Sequence, residues 1–334
     1  MSEEIVTLAH GGGGIASRRL LREHLLPRLD SEALRPLGDS ALVDVPPGGI
    51  ALTTDSYVIQ PWRFPGGDIG KLAVCGTVND LAVMGARPLY LTLGLILEEG
   101  LPLADLDAVI ASVAETAREA GIEVVAGDTK VVGRGDADCL YLNTSGIGVF
   151  DYAHVRLPGP RAGDRLLVTG ALGDHGLAVM AARERLPLKS ELSSDCAPLS
   201  GLVEAMRGAG RVTWMRDCTR GGLASAANEL AEDFHLGVHL FEDELVVHDA
   251  AAAVAELLGL DILHVANEGV ILTAVAEEDA GRVLAAARRH PYGGEASLVG
   301  ALTEAHPRRV VLETAVGGER IVDMLTGEQL PRIC

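Results

Sequence analysis

The apolar positions of this chain change period several times along its length, and each change marks an element. Alternating apolar and polar residues predict strands over 41–45 and 50–58, separated by the turn sequence Pro46-Pro47-Gly48-Gly49. A helix is predicted over 68–84, ending before Arg87-Pro88, and the short apolar run 89–97 reads as a strand. Leu103, Leu106, Val109, Ile110, Val113 and Ala117 then recur at spacings of three and four, the stripe of an amphipathic helix over 105–120. Strands over 122–125 and 140–149 complete a mixed unit.

The pattern breaks at Leu157-Pro158-Gly159-Pro160 and restarts at Asp164-Arg165-Leu166-Leu167-Val168-Thr169-Gly170, which places a domain boundary between 155 and 156. The second half predicts helices over 222–233 and 277–289 and strands over 269–275, 297–302 and 309–313. Neither half shows the regular strand–helix alternation of a doubly wound sheet. The organisation expected is therefore one unit over 1–155, a second over 156–325, and a polar, Gly-containing arm over 326–334 that should be mobile and ends on Cys334.

Composition narrows the function. The chain has 334 residues, 48% of them hydrophobic, enough for two cores, and 28 Lys and Arg against 47 Asp and Glu give a formal charge of −19. That charge repels phosphate backbones and anionic lipid, so neither nucleic acid nor a membrane surface is an expected partner. No apolar run has membrane-spanning length, and Met1-Ser2-Glu3-Glu4 lacks the basic start of a signal peptide. Five cysteines without Cys-x-x-Cys pairs or zinc spacing point to a reducing, cytoplasmic setting, with Cys75, Cys139, Cys196 and Cys218 read as small buried hydrophobes. His10 is a candidate phosphate contact. His175 and His264 have no neighbours at ligand spacing and receive no role.

Four aspartates sit among small residues at predicted strand ends and helix faces: Asp39, Asp55, Asp80 and Asp128. Carboxylates drawn from separate segments suit Mg²⁺ holding a polyphosphate, although each alone reads more readily as a cap or turn residue. Two glycine clusters, Gly11-Gly12-Gly13-Gly14 and Gly66-Gly67, could offer backbone N–H groups to phosphate. The first lacks the frame of a dinucleotide fingerprint. The second is no Walker motif, because Pro65 and Leu72 stand where that motif has Gly and Ser or Thr.

Taken in order, His10-Gly11-Gly12-Gly13-Gly14, Thr54-Asp55-Ser56, Phe64-Pro65-Gly66-Gly67-Asp68-Ile69-Gly70, Val78-Asn79-Asp80, Gly127-Asp128-Thr129-Lys130, Asp217-Cys218-Thr219-Arg220-Gly221-Gly222 and Asn267-Glu268-Gly269 resemble the aminoimidazole ribonucleotide synthetase superfamily. The ending Pro331-Arg332-Ile333-Cys334 is similar to that of its hydrogenase-maturation carbamoyl dehydratases. Cys218 departs from the pattern, where Pro or Ala is expected.

The resemblance implies an α+β, two-domain PurM-like fold, with the N-terminal mixed sheet pairing across a homodimer and a sandwich-like C-terminal domain. It implies Mg²⁺–ATP held by Asp39, Asp55, Asp80 and Asp128 beneath the Gly-rich segment from His10 to Gly14. Cys334 would receive a carboxamide from a HypF-type carbamoyltransferase and yield cyanide to iron on a HypC–HypD complex. Losing water from a thiocarbamate needs the amide oxygen phosphorylated, a base for the nitrogen proton and a cation for the developing charge. The resemblance assigns Glu268 as the base and Lys130 as the cation. A small-molecule kinase or synthetase of the same superfamily, and a non-catalytic carrier of a tail-bound group, remain open at this point.

Overall fold

The computed structural model describes residues 5–11, 15–29, 31–35, 43–151, 155–188, 190–325, 330 and 332–334. Helices α1 (Ile15–Leu20) and α2 (Leu26–Leu29) flank a π-helical stretch, Leu21–Leu25. Strand β1 (Ile50–Tyr57) and the small hairpin β2 (Arg63–Phe64) and β3 (Gly67–Asp68) follow. Asp68 caps α3 (Ile69–Val83), its carboxylate accepting from the N–H groups of Gly70 and Lys71 at 2.8 and 3.0 Å. Nearly every α3 residue is buried, as suits a helix apolar on all sides.

Strand β4 (Arg87–Glu98) leads to α4 (Leu103–Ala120), which stops at Gly121 in the left-handed conformation, φ 68°. The unit then closes with β5 (Glu123–Val132) and β6 (Leu140–Val149). These strands form one four-stranded sheet in the order β1-β6-β4-β5, in which only β4 and β5 are parallel, joined by the α4 crossover. Both α3 and α4 pack on the same face. The opposite face carries Leu52, Ile147, Tyr90 and Ile96, with no α-helix over it among the described residues, and Leu52 is 68% exposed.

The second half runs β7 (Arg165–Val168), α5 (Asp174–Arg183), α6 (Ser200–Ala209), β8 (Val212–Asp217), α7 (Gly222–Phe234), β9 (Gly237–Phe241), α8 (Asp249–Leu258), β10 (Ile271–Val275), α9 (Ala280–Arg289), β11 (Ser297–Thr303), β12 (Val310–Glu313) and β13 (Glu319–Ile321). Its seven-stranded sheet has the order β13-β12-β9-β11-β7-β10-β8, antiparallel except for the β9–β12 pair. Successive strand residues feed opposite cores: Leu166, Val168, Leu272 and Ala274 face one, with α7, and Leu167, Ile271 and Val275 face the other, with α6 and α9. Buried on both sides, β10 reads as a continuous apolar run rather than an alternating one.

Several expectations change. Residues 41 and 42 of the strand predicted over 41–45 lie outside the described residues, and 43–45 form no strand, since Pro46 and Pro47 have no N–H to continue a ladder. The strand predicted over 122–125 continues to Val132 because it stays paired with β4. Helix α9 begins only at Ala280, after a 3₁₀ turn over Glu277–Asp279. Cys139 is exposed, in a left-handed turn before β6 with φ 69°, unlike the buried Cys75, Cys196 and Cys218.

The sequence predicts a loose arm over 326–334, and here the structure differs. Residues 326–329 and 331 lie outside the described set, but Leu330 and Ile333 are buried, Ile333 to 2% exposure, in the core that α5 shares with the first sheet's helices. Leu330 and Ile333 are thus held in the core, although their polar neighbours suggested solvent.

Candidate functional site

Glu268 occupies the loop before β10 and is held from three directions. Asn267, fully buried, accepts from the Gly173 N–H at 2.6 Å and donates to the carbonyls of Cys218 and Val265, both at 3.1 Å. Asn79 of α3 reaches across from the other unit, donating to the Glu268 and Ala197 carbonyls at 3.2 and 3.0 Å and accepting from Leu199 N–H at 2.7 Å. Asp195 Oδ1 accepts from the Glu268 N–H at 2.9 Å, and the Gly269 N–H also reaches this carboxyl. Residue 269 must be Gly, because a Cβ there would overlap the Asp195 carbonyl.

The Glu268 side chain is 4% exposed, not an open turn residue. Burial first, and then the proximity of Cys196, Asp217, Asp195 and Asp55, pushes its carboxyl well above the usual carboxylate range. Burial likewise raises Asp195 to about 7, and its Oδ2 is enclosed without a hydrogen-bond partner.

Asp55 on β1 and Asp80 on α3 are brought together, with Asp217 at the end of β8 beside them. Burial and then Asp80 raise Asp55 to about 6, while burial and then Asp80 raise Asp217 to about 7. Thr53 donates to Asp80 Oδ2 at 2.7 Å, and Arg220 provides an opposing charge to Asp55. Tyr57 lies inside this ring of acids; burial, then Asp55, raises its phenol, and its hydroxyl sits 3.5 Å from Thr77 Oγ1. Acids facing one another with so little positive charge fit a site completed by a cation. Among the described residues, no three His, Cys, Asp or Glu side chains form a metal cage by themselves.

The remaining predicted residues form a separate set. Asp55 pairs with Thr144 and Thr144 with Leu93, on the helix-covered face, whereas Asp128 pairs with Gly94, one residue out of phase. With a strand period of two, Asp128 and Lys130 therefore project from the uncovered face of β5, at the far edge of the sheet from β1. Within one chain Asp128 does not join Asp55 and Asp80, and Lys130 does not approach Glu268. They pair with each other, at 2.9 Å. Next to β5 lies the 3₁₀ turn Leu8–Gly11, where His10 Nδ1 accepts from the Thr7 N–H at 2.9 Å. Asp39, Gly12, Gly13 and Gly14 lie outside the described residues.

The chain's last residues run beside the segment that follows β1. A terminal oxygen of Cys334 accepts from Val58 N–H at 3.1 Å, and the Arg332 carbonyl accepts from Gln60 N–H at 3.4 Å. Arg332 returns a bond to the Val58 carbonyl at 3.1 Å and pairs with Asp138. From α5, Arg183 donates to the Arg332 carbonyl at 2.7 Å and His175 Nε2 lies 2.9 Å from the Ile333 carbonyl. Cys334, half-buried, is thereby fixed at Val58, three residues after Asp55 in the chain. A cavity of about 420 Å³ lies elsewhere, by Arg156, Arg207 and Arg211, and holds none of the predicted site residues.

Models of the AIR synthase related protein match this chain in both parts, the N-terminal domain over residues 37–150 and the C-terminal domain over 161–313. A carbamoyl dehydratase HypE from Azotobacter vinelandii is 47% identical over 331 residues, covering 98% of this chain and 97% of its own. The chain belongs to the HypE branch of the AIR synthase related family. A crystal structure of hydrogenase maturation protein HypE in complex with ATP superposes with a TM-score of 0.93 at 43% identity, covering 98% of this chain and 99% of its own. HypE in a HypE–HypF complex matches with a TM-score of 0.80 at 42% identity, covering 92% and 99%. The residues of this candidate site that sequence reasoning missed are Tyr57, Asn79, His175, Asp195 and Asp217. Two of these, Asn79 and Asp217, stand inside the quoted motifs, next to assigned positions. Asp195 lies in the segment Ser193-Ser194-Asp195, which carries no periodic signal. Among the described residues, no helix is long and apolar enough to cross a membrane.

Proposed function

We propose that this chain is an ATP-dependent carbamoyl dehydratase acting on its own C-terminus. The carboxamide on the Cys334 sulfur loses water to become a thiocyanate, whose cyanide goes to the iron of a NiFe-hydrogenase. The observation that carries this reading is the seating of Cys334 by a backbone hydrogen bond to Val58, directly after the strand that carries Asp55 and Tyr57 into the cluster of acids. A kinase acting on a diffusible molecule has no need to bury its own terminus there.

Asp55, Asp80 and Asp217 are the groups of this chain that would hold Mg²⁺–ATP, and the raised pKa values of Asp55 and Asp217 mark where a cation relieves repulsion. Bound ATP supplies the phosphoryl group that makes the amide oxygen a leaving group. Glu268 takes the amide nitrogen's proton; its raised pKa suits a base working near neutrality once a cation faces it. Asn79 and Asp195 fix the Glu268 backbone through its carbonyl and its N–H, and burial excludes water from the side chain.

The uncovered face bearing Leu52, Tyr90, Ile96 and Ile147 supports a homodimer through the N-terminal sheets. In that arrangement Asp128, as a metal ligand, and Lys130, as the cation, act on the site of the second copy, together with His10, Asp39 and the glycines from Gly11 to Gly14. Residues 1–155 then bind nucleotide and dimerise, 156–325 supply Glu268, and 326–334 carry the reacting cysteine. A HypF-type carbamoyltransferase loads Cys334, a HypC–HypD complex takes the cyanide, and the work is done in the cytoplasm. Removing Ile333 and Cys334 tests the reading against a small-molecule kinase: all ATP turnover coupled to product should vanish, and a truncated chain that still phosphorylated a soluble substrate would overturn it.

A further inference from the structure

We propose that His175 is the positioning residue that seats the reacting end of the chain, acting as a neutral imidazole with its proton on Nε2. The inference rests on the reading that Cys334 carries the reacting group. His175 is the second residue of α5, 0% exposed, with its ring edge-on to Phe64 at 5.4 Å. Its Nε2 lies 2.9 Å from the Ile333 carbonyl oxygen, which can only accept, so the proton is on Nε2. Its Nδ1 lies 2.8 Å from Ser194 Oγ. In the neutral ring Nδ1 is an acceptor, so the Ser194 hydroxyl donates to it, while Ser194 Oγ accepts from Cys196 N–H at 3.0 Å. Burial favours the same state, lowering the imidazole to about 4.

The chain of bonds ends at the base. Ser194 is followed by Asp195, whose Oδ1 holds the Glu268 N–H. The loop that reads His175 therefore also aligns Glu268, so that seating Ile333 and setting the base are one event. Arg183, two turns further along α5, grips the neighbouring Arg332 carbonyl, but at a partly open position where water can substitute. Loss of the His175 bond instead strands a carbonyl in a buried site, which is the costlier change.

The test uses full-length protein loaded with a carboxamide by its carbamoyltransferase. His175→Gln offers an N–H near the position of Nε2 and can still reach Ile333, whereas His175→Asn places its amide near Nδ1 and reaches only Ser194. Hydrogen exchange at the Val58 and Gln60 N–H groups reports seating without turnover. Intact mass reports dehydration, and calorimetry reports ATP affinity. His175→Asn should expose both N–H groups to exchange and slow dehydration about tenfold to a hundredfold, the factor expected from one buried unsatisfied acceptor, with ATP affinity unchanged. His175→Gln should stay within a few-fold of the parent. Equal behaviour of the two variants, or parent-like protection in His175→Asn, would overturn the proposal. If the parent itself never dehydrates, the functional reading fails and the exchange comparison still decides the seating. Should neither variant fold, ¹⁵N spectra of the parent's histidines decide: the Nε2–H tautomer is expected, and an Nδ1–H tautomer at His175 sinks the idea.

Discussion

Replacing Ile333 with Ala separates docking of the chain end from stability of the fold. Ile333 is 2% exposed and belongs to the core that includes α5. Truncating a buried Ile to Ala costs about 2–5 kcal/mol in a rigid core, and the low end applies at a terminus, where neighbours can close the gap. Ile333 lies outside every strand and helix, so the loss should fall on the docked-to-undocked equilibrium and leave both sheets intact. About 2 kcal/mol corresponds to roughly a thirtyfold shift toward the undocked end. Carboxypeptidase digestion reads this directly, because when opening is fast the trimming rate follows the open population. Release of the C-terminal residues should accelerate by about that factor while the melting temperature stays put. Trimming at the parent's rate, or a lower melting temperature with trimming unchanged, would refute the reasoning.

Three further outcomes are expected. Glu268→Gln cannot take the nitrogen proton, so its carboxamide should persist on Cys334, with dehydration slowed about 10²–10⁴-fold and carbamoyl transfer unaffected; a parent-like rate in the mass spectrum would place the base elsewhere. Asp195, raised to about 7, favours the folded state when protonated, so its contribution is fully present below about pH 4 and lost as pH rises through about 7. Asp195→Asn keeps an acceptor for the Glu268 N–H and should flatten the fall in urea stability of the ligand-free protein between about pH 5 and about pH 8; an unchanged slope would contradict the assignment. Leu52→Glu, on the uncovered sheet face, should give a monomer by light scattering, and a persistent dimer would move the interface to another surface.

Where local pattern sets structure, the sequence was readable. The stripe from Leu103 to Ala117 and the Gly121 stop define α4, and the alternation before Tyr57 defines β1. Helix α5 was not predicted, as Gly173 and Gly176 are poor helix formers; Gly176 is there to let Val265 and Leu330 close in, which is a tertiary demand. The motif residues were legible one by one, but their grouping was not. Asp55 and Asp128 look equivalent in sequence, and only the register across β6 and β4 shows that they point to opposite faces. Glu268 was found from its motif, while the residues that hold it, Asn79 and Asp195, lie 189 and 73 positions away. The chain end misled because Thr326, Glu328, Gln329 and Arg332 outweighed Leu330 and Ile333, whose burial depends on packing into the core around α5 that no local pattern announces.

The central claim is that ATP drives loss of water from a carboxamide on Cys334 of this chain. Intact mass spectrometry, after mixing the protein with a HypF-type carbamoyltransferase, carbamoyl phosphate and ATP, tests it most directly. The account predicts that Cys334 first gains the mass of one carboxamide and then loses one water, with one ATP consumed per loss and no change in Cys334→Ala. A carboxamide that persists in the presence of ATP, or a Cys334→Ala chain that still becomes cyanated, would contradict it.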